Sequence, residues 1–154
     1  MVKVQQLMEE IETKGGLTPA KKVRETAERF PDLIAMREKN FGIWEEITYK
    51  EYWEQAQWIG CALNYYGVET QDSVAIHSEN RPEWFISDVA IQAIGAVSVG
   101  LYPTNPPSEV SYLIGHSESK ILFAEDQEQV DKALEVIEEL PELKKIIYFE
   151  PRGL

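Results

Sequence analysis

Two histidines, one cysteine and the carboxylate pair that follows an apolar run at Glu125-Asp126 are the groups in this 154-residue sequence whose types and spacing could do chemistry. His77 and His116 lie far apart along the chain, and neither has a third ligand at a metal-binding spacing. Each reads as a structural or loop histidine. Cys61 is the sole cysteine, which excludes a disulfide scaffold and a cysteine-rich zinc site. Its helix carries a clean apolar stripe, so it reads as a small core residue or a bystander. Glu125-Asp126 follows an apolar run, and carboxylates at a strand end can hold Mg²⁺. A phosphate-accepting aspartate site would also want a lysine at the end of a late strand and another Asp in mid-sheet. Here the last apolar run ends Tyr148-Phe-Glu150, and Asp126 is already placed to cap a helix. There is no G-x-G-x-x-G, no G-x-x-x-x-G-K-[ST], no G-x-S-x-G and no H-E-x-x-H. No reaction is spelled out by these groups alone.

Composition narrows the classes further. Fifteen Lys+Arg against 27 Asp+Glu give a net charge of −12. That argues against a nucleic-acid binder, which needs a clustered basic surface, and against docking by charge on an anionic membrane. Residues 125–142 hold eight of the acidic residues and one lysine. A solvated helix face accounts for this, with an acidic docking surface as the alternative. The N-terminus has no apolar signal-peptide core, and no run approaches the ~18 apolar residues of a membrane span. A reducing cytoplasm is the expected compartment. Hydrophobic residues at 44% and a single-domain length predict a core large enough to fold without disulfides or structural metals.

The elements that must position these groups follow from periodicity. Val4, Leu7, Met8 and Ile11 fall at helical spacing before Gly15-Gly16, giving an N-terminal helical segment over residues 1–17. Thr18 and Pro19 open a second helix with Val23, Ala27 and Phe30 inward, and Pro31 stops it. Residues 33–38 and 43–48 form a hairpin joined by the four residues Lys39 to Gly42. Thr48 and Glu51 make a capping box for a helix with Tyr52, Ala56, Ile59, Leu63 and Tyr66 on one face. Trp53 and Trp58 fall off that face, partly exposed, as a partner surface or as packing under the N-terminal segment. Strands at 73–77, 96–101, 120–124 and 145–149 then alternate with helices. The helix at about 82–94 is capped by a box over Asn80 to Glu83 and heavily buried. A short helix ends near Gly115, and a helix capped by Asp126 turns Val130, Ala133, Leu134 and Ile137 inward before Pro141. Four apolar strands separated by helices predict an α/β fold, a doubly wound, mostly parallel sheet with a small β-hairpin. Ligands of such sheets bind beyond the carboxyl ends of the strands, which points to the loops at 77–82, 102–106 and 125–126.

The wording of these loops is familiar. His77-Ser-Glu-Asn-Arg-Pro-Glu-Trp84, Ile94-Gly-Ala-Val97, Tyr102-Pro-Thr-Asn-Pro106, Tyr112-Leu-Ile-Gly-His-Ser117 and Ile121-Leu-Phe-Ala-Glu125, in that order, resemble the AMP-forming acyl-CoA synthetases. These are adenylate-forming enzymes, a group that includes luciferases and peptide-synthetase adenylation domains. The likeness runs from about Thr18 to Phe149, and its central block is similar to bacterial long-chain fatty acid–CoA ligases. The resemblance implies a flavodoxin-like N-terminal subdomain of the large AMP-binding domain, spanning residues 18–154. It implies a ligase that turns fatty acid, ATP with Mg²⁺, and coenzyme A into acyl-CoA, AMP and pyrophosphate through an acyl-adenylate. The family's phosphate loop (rich in Ser, Thr and Gly and ending in Lys), its Thr-Glu pair, its ribose-holding Asp and its C-terminal Lys have no counterpart here. Gly115-His-Ser-Glu-Ser-Lys120 comes nearest and runs straight into a strand. No catalytic, cofactor-binding or metal residue is therefore assigned, and no cofactor is expected on this chain alone. Arg81, Trp84, Tyr102, Thr104 and Asn105 are candidates for the wall of the acyl and pantetheine cleft.

The expectation is an N-terminal piece of a long-chain synthetase, inactive alone, whose partner is the remainder of the same chain. The alternative is a free-standing, non-catalytic interaction domain derived from that family. A parallel sheet without its missing half exposes apolar surface and a strand edge, so self-association of the piece is expected.

Overall fold

The computed structural model describes residues 18–153, and the expected N-terminal helix lies outside them. Helix α1 (Pro19–Arg29) begins where the sequence places it: the Thr18 hydroxyl accepts from the Lys21 amide, with proline at the first position. Strands β1 (Ile34–Asn40) and β2 (Ile43–Thr48) pair antiparallel. Their connection is Phe41-Gly42, two residues rather than four. Both have positive φ, 47° and 87°, the hand of a type I′ turn that matches strand twist. Helix α2 (Tyr49–Tyr65) is opened by the Thr48–Glu51 capping box, both of whose hydrogen bonds form. Tyr52, Ala56 and Leu63 are buried as predicted, whereas Tyr66 is exposed and Cys61 faces outward.

Strand β3 (Ser73–His77), helix α3 (Pro82–Ala93), strand β4 (Val97–Leu101), helix α4 (Pro107–Ser117), strand β5 (Ile121–Ala124), helix α5 (Gln127–Glu135), a 3₁₀ turn (Ile137–Glu139) and strand β6 (Lys145–Tyr148) complete the chain. The four strands are parallel, in the order β4-β3-β5-β6. Strand alternation sends Val74, Ile76, Ile121 and Phe123 to one face, where they pack on Leu63 of α2 and Ile91 of α3. Ala75, Leu122 and Leu101 go to the other, against Val110 and Ile114 of α4 and Ala133 of α5. A third cluster, Ala20, Tyr52, Ala56, Ile86, Val89 and Ala90, joins α1, α2 and α3 to each other and to the hairpin. The doubly wound expectation holds.

Four local expectations are corrected. The box over Asn80 to Glu83 does not form: the residue before α3 is Arg81, without a side-chain cap, because its guanidinium has captured the Glu83 carboxylate. Helix α4 runs through Gly115 to Ser117, and it is Glu118, at φ 52°, that turns left-handed and ends it. Helix α5 buries Val130 and Ala133 but leaves Leu134, on its outer side, 51% exposed, and it stops at Glu135, so Ile137 lies beyond it and is 37% exposed. Phe85 of α3 is also exposed, so that helix is less enclosed than its composition suggests. Gly95 leaves α3 at φ 80°, and a Cβ there would sit 3.0 Å from the Thr70 side chain, which explains glycine at that turn.

Candidate functional site

The helices fix where a site can be. Helix α3 crosses one face between β3 and β4, while α4 and α5 cross the other towards β5 and β6. The connections therefore diverge between β3 and β5, and the crevice at the carboxyl ends of those two strands is the topological switch point where ligands of open sheets sit.

That crevice is closed by a side chain of its own. One carboxylate oxygen of Glu125 accepts from the Glu79 amide at 2.6 Å and from the Ser78 hydroxyl at 3.1 Å. Across the same gap the Glu125 amide donates to the His77 carbonyl at 3.0 Å. The other Glu125 oxygen lies 3.5 Å from the Arg81 guanidinium, whose Nε donates to Glu83 at 2.7 Å. Arg81 also lies over the ring of Phe149, which stacks on Phe123 beneath it. Outside this knot is an open cleft of about 360 Å³, with Glu38, Glu79, Glu125, Asp126 and Glu150 facing Arg81 and Arg152. Arg152 is in turn paired with Glu150 at 2.8 Å. Five carboxylates against two ion-paired arginines form a poor receptor for phosphate.

The residues at Glu125-Asp126 do not fit a Mg²⁺ ion either. Asp126 accepts from the Gln129 amide and so caps α5, and Glu125 is committed as described. Among the described residues no group of three or more His, Cys, Asp or Glu side chains is arranged to hold a metal.

The loop after β4 is held differently. His77 is fully buried, and its Nε2–H donates to the Tyr102 carbonyl at 3.1 Å. A carbonyl can only accept, which fixes the tautomer and leaves Nδ1 as an acceptor with no partner among the described residues. Burial, reinforced by the Lys132 charge, pushes the His77 pKa down to about 4, against the opposing pull of the Tyr102 carbonyl and of Glu128 and Asp126. Lys132 reaches back from α5 to donate to the Pro103 carbonyl at 2.6 Å, while bonded to Gln129 and paired with Glu128. The Asn105 amide closes the turn on the Tyr102 carbonyl at 2.9 Å. The loop is thus clamped through its carbonyls, leaving its side chains outside.

The five wall candidates divide accordingly. Tyr102 is 78% exposed and Thr104 is exposed at the loop surface. Asn105 is half-buried, donating to Glu109, with its Oδ1 unpartnered among the described residues. Arg81 sits one loop away in the Glu125 knot. Trp84 packs in the core, its indole 3.5 Å from where a Cβ on Gly100 would lie. The strand-end face therefore brings Arg81 to the Glu125 side and Tyr102, Thr104 and Asn105 to the β4 side, with Trp84 beneath. Glu125 as the closure of the crevice and Lys132 as a loop anchor escape a sequence reading, because both depend on β5 lying beside β3. Nothing in this arrangement pairs a nucleophile with a base.

Comparison with known proteins supplies what the geometry lacks. The profile of the family described as AMP-binding enzyme matches residues 23–152. The chain belongs to that family. It is 34% identical over 127 residues to the long-chain-fatty-acid–CoA ligase ACSBG2 of Xenopus laevis, an alignment covering 82% of this chain and 17% of the relative. Among solved structures it is similar to a chain from Rhodopseudomonas palustris provisionally assigned as a long-chain-fatty-acid CoA ligase. That likeness has a TM-score of 0.77 and 26% identity, over 87% of this chain and 33% of the other. A fatty acyl CoA synthetase from Mycobacterium tuberculosis shares the fold, with a TM-score of 0.76 at 20% identity over 84% of this chain and 26% of that one. The chain spans about a sixth of the length of the curated relatives it matches. No helix among its described residues is long and apolar enough to cross a membrane.

Proposed function

We propose that this chain is the amino-terminal part of the large domain of an AMP-forming long-chain acyl-CoA synthetase, and that it supplies scaffold and cleft wall, not reacting groups. The observation that carries the reading is the family match over residues 23–152, joined to one-third identity with a long-chain-fatty-acid–CoA ligase. In such a reaction the carboxylate of a fatty acid attacks the α-phosphorus of ATP and expels pyrophosphate. The thiol of coenzyme A then attacks the acyl-adenylate and releases AMP. Both steps need donors and cations aimed at developing phosphate charge. At the strand ends of this chain Arg81, Arg152 and Lys132 are already bonded to its own carboxylates and carbonyls. The Mg²⁺ that accompanies ATP belongs, on this reading, with residues elsewhere in the synthetase.

What this chain contributes is position. His77 and Lys132 hold the Tyr102–Pro106 loop by its carbonyls, so that Tyr102, Thr104 and Asn105 face the cleft used by acyl chain and pantetheine. Arg81 and Trp84 support the neighbouring wall. The partner is the rest of the synthetase, and the exposed hairpin residues Phe41, Ile43 and Trp44 with the β4 edge at Val97 are apolar surface for it to cover. Without it, the same surface would pair copies of this chain. The compartment that goes with ATP and coenzyme A chemistry and with one exposed thiol, Cys61, is the cytoplasm.

Reading the gene past the codon for Leu154 tests the proposal. It predicts an open frame that continues into a loop rich in Ser, Thr and Gly and ending in Lys. A natural stop codon at that point overturns it in favour of a free-standing interaction domain.

A further inference from the structure

Helix α2 carries two stripes, and the fold uses one of them. Tyr52, Ala56 and Leu63 face inward and are buried. On the other side Gln55, Trp58, Ala62 and Tyr65 recur at spacings of 3, 4 and 3, the repeat of a helix–helix seam. Trp58 is 70% exposed and Tyr65 85%, and Cys61 and Ala62 are exposed between them. Beside Trp58 an open hollow of about 290 Å³ lies among Glu51, Glu54, Gln55 and Ile59. A helix apolar on both sides is one whose two sides are both covered. No charged residue stands between Glu54 and Glu69, so in a chain of net charge −12 two copies can meet here with little repulsion.

We infer that a second copy of this chain covers the seam, its α2 antiparallel to the first about a two-fold axis at the level of Gly60. An isologous contact needs a surface complementary to itself. With the axis at that level, Trp58 lies opposite the second copy's Ala62, large against small. Tyr65 lies opposite the second copy's Gln55, at the hollow beside Trp58. The ends of the seam carry opposite charge. Glu51 and Glu54 mark its start, Glu51 bonded to Thr48 and Glu54 held to Lys50 only at 4.0 Å. Lys145 marks its finish, 4.2 Å over the Tyr66 ring and in no ion pair among the described residues. Antiparallel pairing sets each acidic end beside the other copy's Lys145, whereas parallel pairing sets like on like. Helix α2 has no cation in its last turn, and an antiparallel neighbour brings its positive end to that negative one. The hairpin and the β4 edge take no part, so the inference is independent of the proposed synthetase reading.

Sedimentation and cross-linking test it, with Trp44→Glu as background to remove association through the hairpin. That variant is expected to remain dimeric, and adding Trp58→Glu to raise the dissociation constant about thirtyfold or more. Both tryptophans are exposed, and far-UV circular dichroism checks that the fold is kept. A Trp44→Glu chain that is monomeric at about 100 μM, or a dimer indifferent to Trp58→Glu, overturns the inference. A short bismaleimide reads the direction. Cys61 is expected to join two copies, whereas Glu54→Cys in a Cys61→Ser background is not, because antiparallel helices hold that pair about 18 Å apart along the axis. Equal cross-linking at the two positions would mean parallel or unspecific contact and overturn it. The product of the gene's whole reading frame is expected to cross-link through Cys61 likewise. Loss of the cross-link there assigns the seam to the rest of that chain and overturns the inference equally.

Discussion

Leu122→Ala is expected to lower the unfolding free energy by about 2–5 kcal/mol, a large share of the roughly 5–15 kcal/mol typical of a domain. Leu122 is fully buried on β5, which is flanked on both edges by β3 and β6. Its side chain packs among Val110 and Ile114 of α4 and Ala133, Val136 and Leu140 around α5. Those groups are anchored to a sheet on one side and to each other on the other, so they cannot collapse fully into the vacated volume. The lost transfer energy and the residual cavity therefore add. In a chain of this size each kcal/mol lowers Tm by roughly 2–4 °C, so a drop of about 5–20 °C is expected in a thermal melt. Leu134→Ala, on the exposed side of α5, is the control and should stay within about 0.5 kcal/mol. If the two substitutions cost the same, the assignment of the second core is wrong.

Acidification should weaken the fold through His77, and at a pH where its carboxylates are still charged. The ring is buried neutral, with a native pKa of about 4 against about 6.5 unfolded. Between those values the unfolded chain binds a proton that the native one refuses. Stability therefore falls as pH falls from about 6.5 to about 4, and the contribution levels off below that, amounting to on the order of 3 kcal/mol. Protonation would also place a second cation beside Lys132, under the loop whose carbonyls both groups hold. Carboxylates act later. Asp72, held low by its hydrogen bond with Lys120, gives up its contribution only as pH falls below the ordinary carboxylate range. Denaturant unfolding from pH 7 to 4.5 reads the slope. His77→Gln keeps an amide donor for the Tyr102 carbonyl but does not titrate, so its profile should be the flatter of the two. Parallel profiles for the variant and the natural chain would remove His77 from this role.

How much of this was legible in the sequence depends on the range of the forces involved. The Thr18 and Thr48 caps were readable because their partners lie three residues away. The same logic failed at Asn80 to Glu83, where Arg81 takes the Glu83 carboxylate and is itself held by Glu125 and Phe149, far away in the sequence. Ile137 was misplaced because a helical period was carried past Glu135, where the chain tightens into a 3₁₀ turn. The hairpin turn was read as longer than it is because Phe41 is an unusual residue at positive φ. The alternation of strands and helices fixed the layers, and the pair Glu125-Asp126 drew attention for its chemistry. Its actual work, closing a crevice and capping a helix, required the strand order β4-β3-β5-β6, which is set by non-local packing. The family resemblance reached the fold and the family, while the strand-end loops pair no nucleophile with a base among the described residues, so residue chemistry alone names no reaction.

The central claim is that this chain frames a fatty-acid-activating site whose reacting groups lie elsewhere in the same synthetase. Fatty-acid-dependent exchange of labelled pyrophosphate into ATP tests it most directly, run on the 154 residues and on the product of the gene's whole reading frame. The account predicts no exchange from the 154 residues and exchange stimulated by a long-chain fatty acid from the whole product. Exchange by the 154 residues alone, or a whole product that activates no fatty acid, would contradict it.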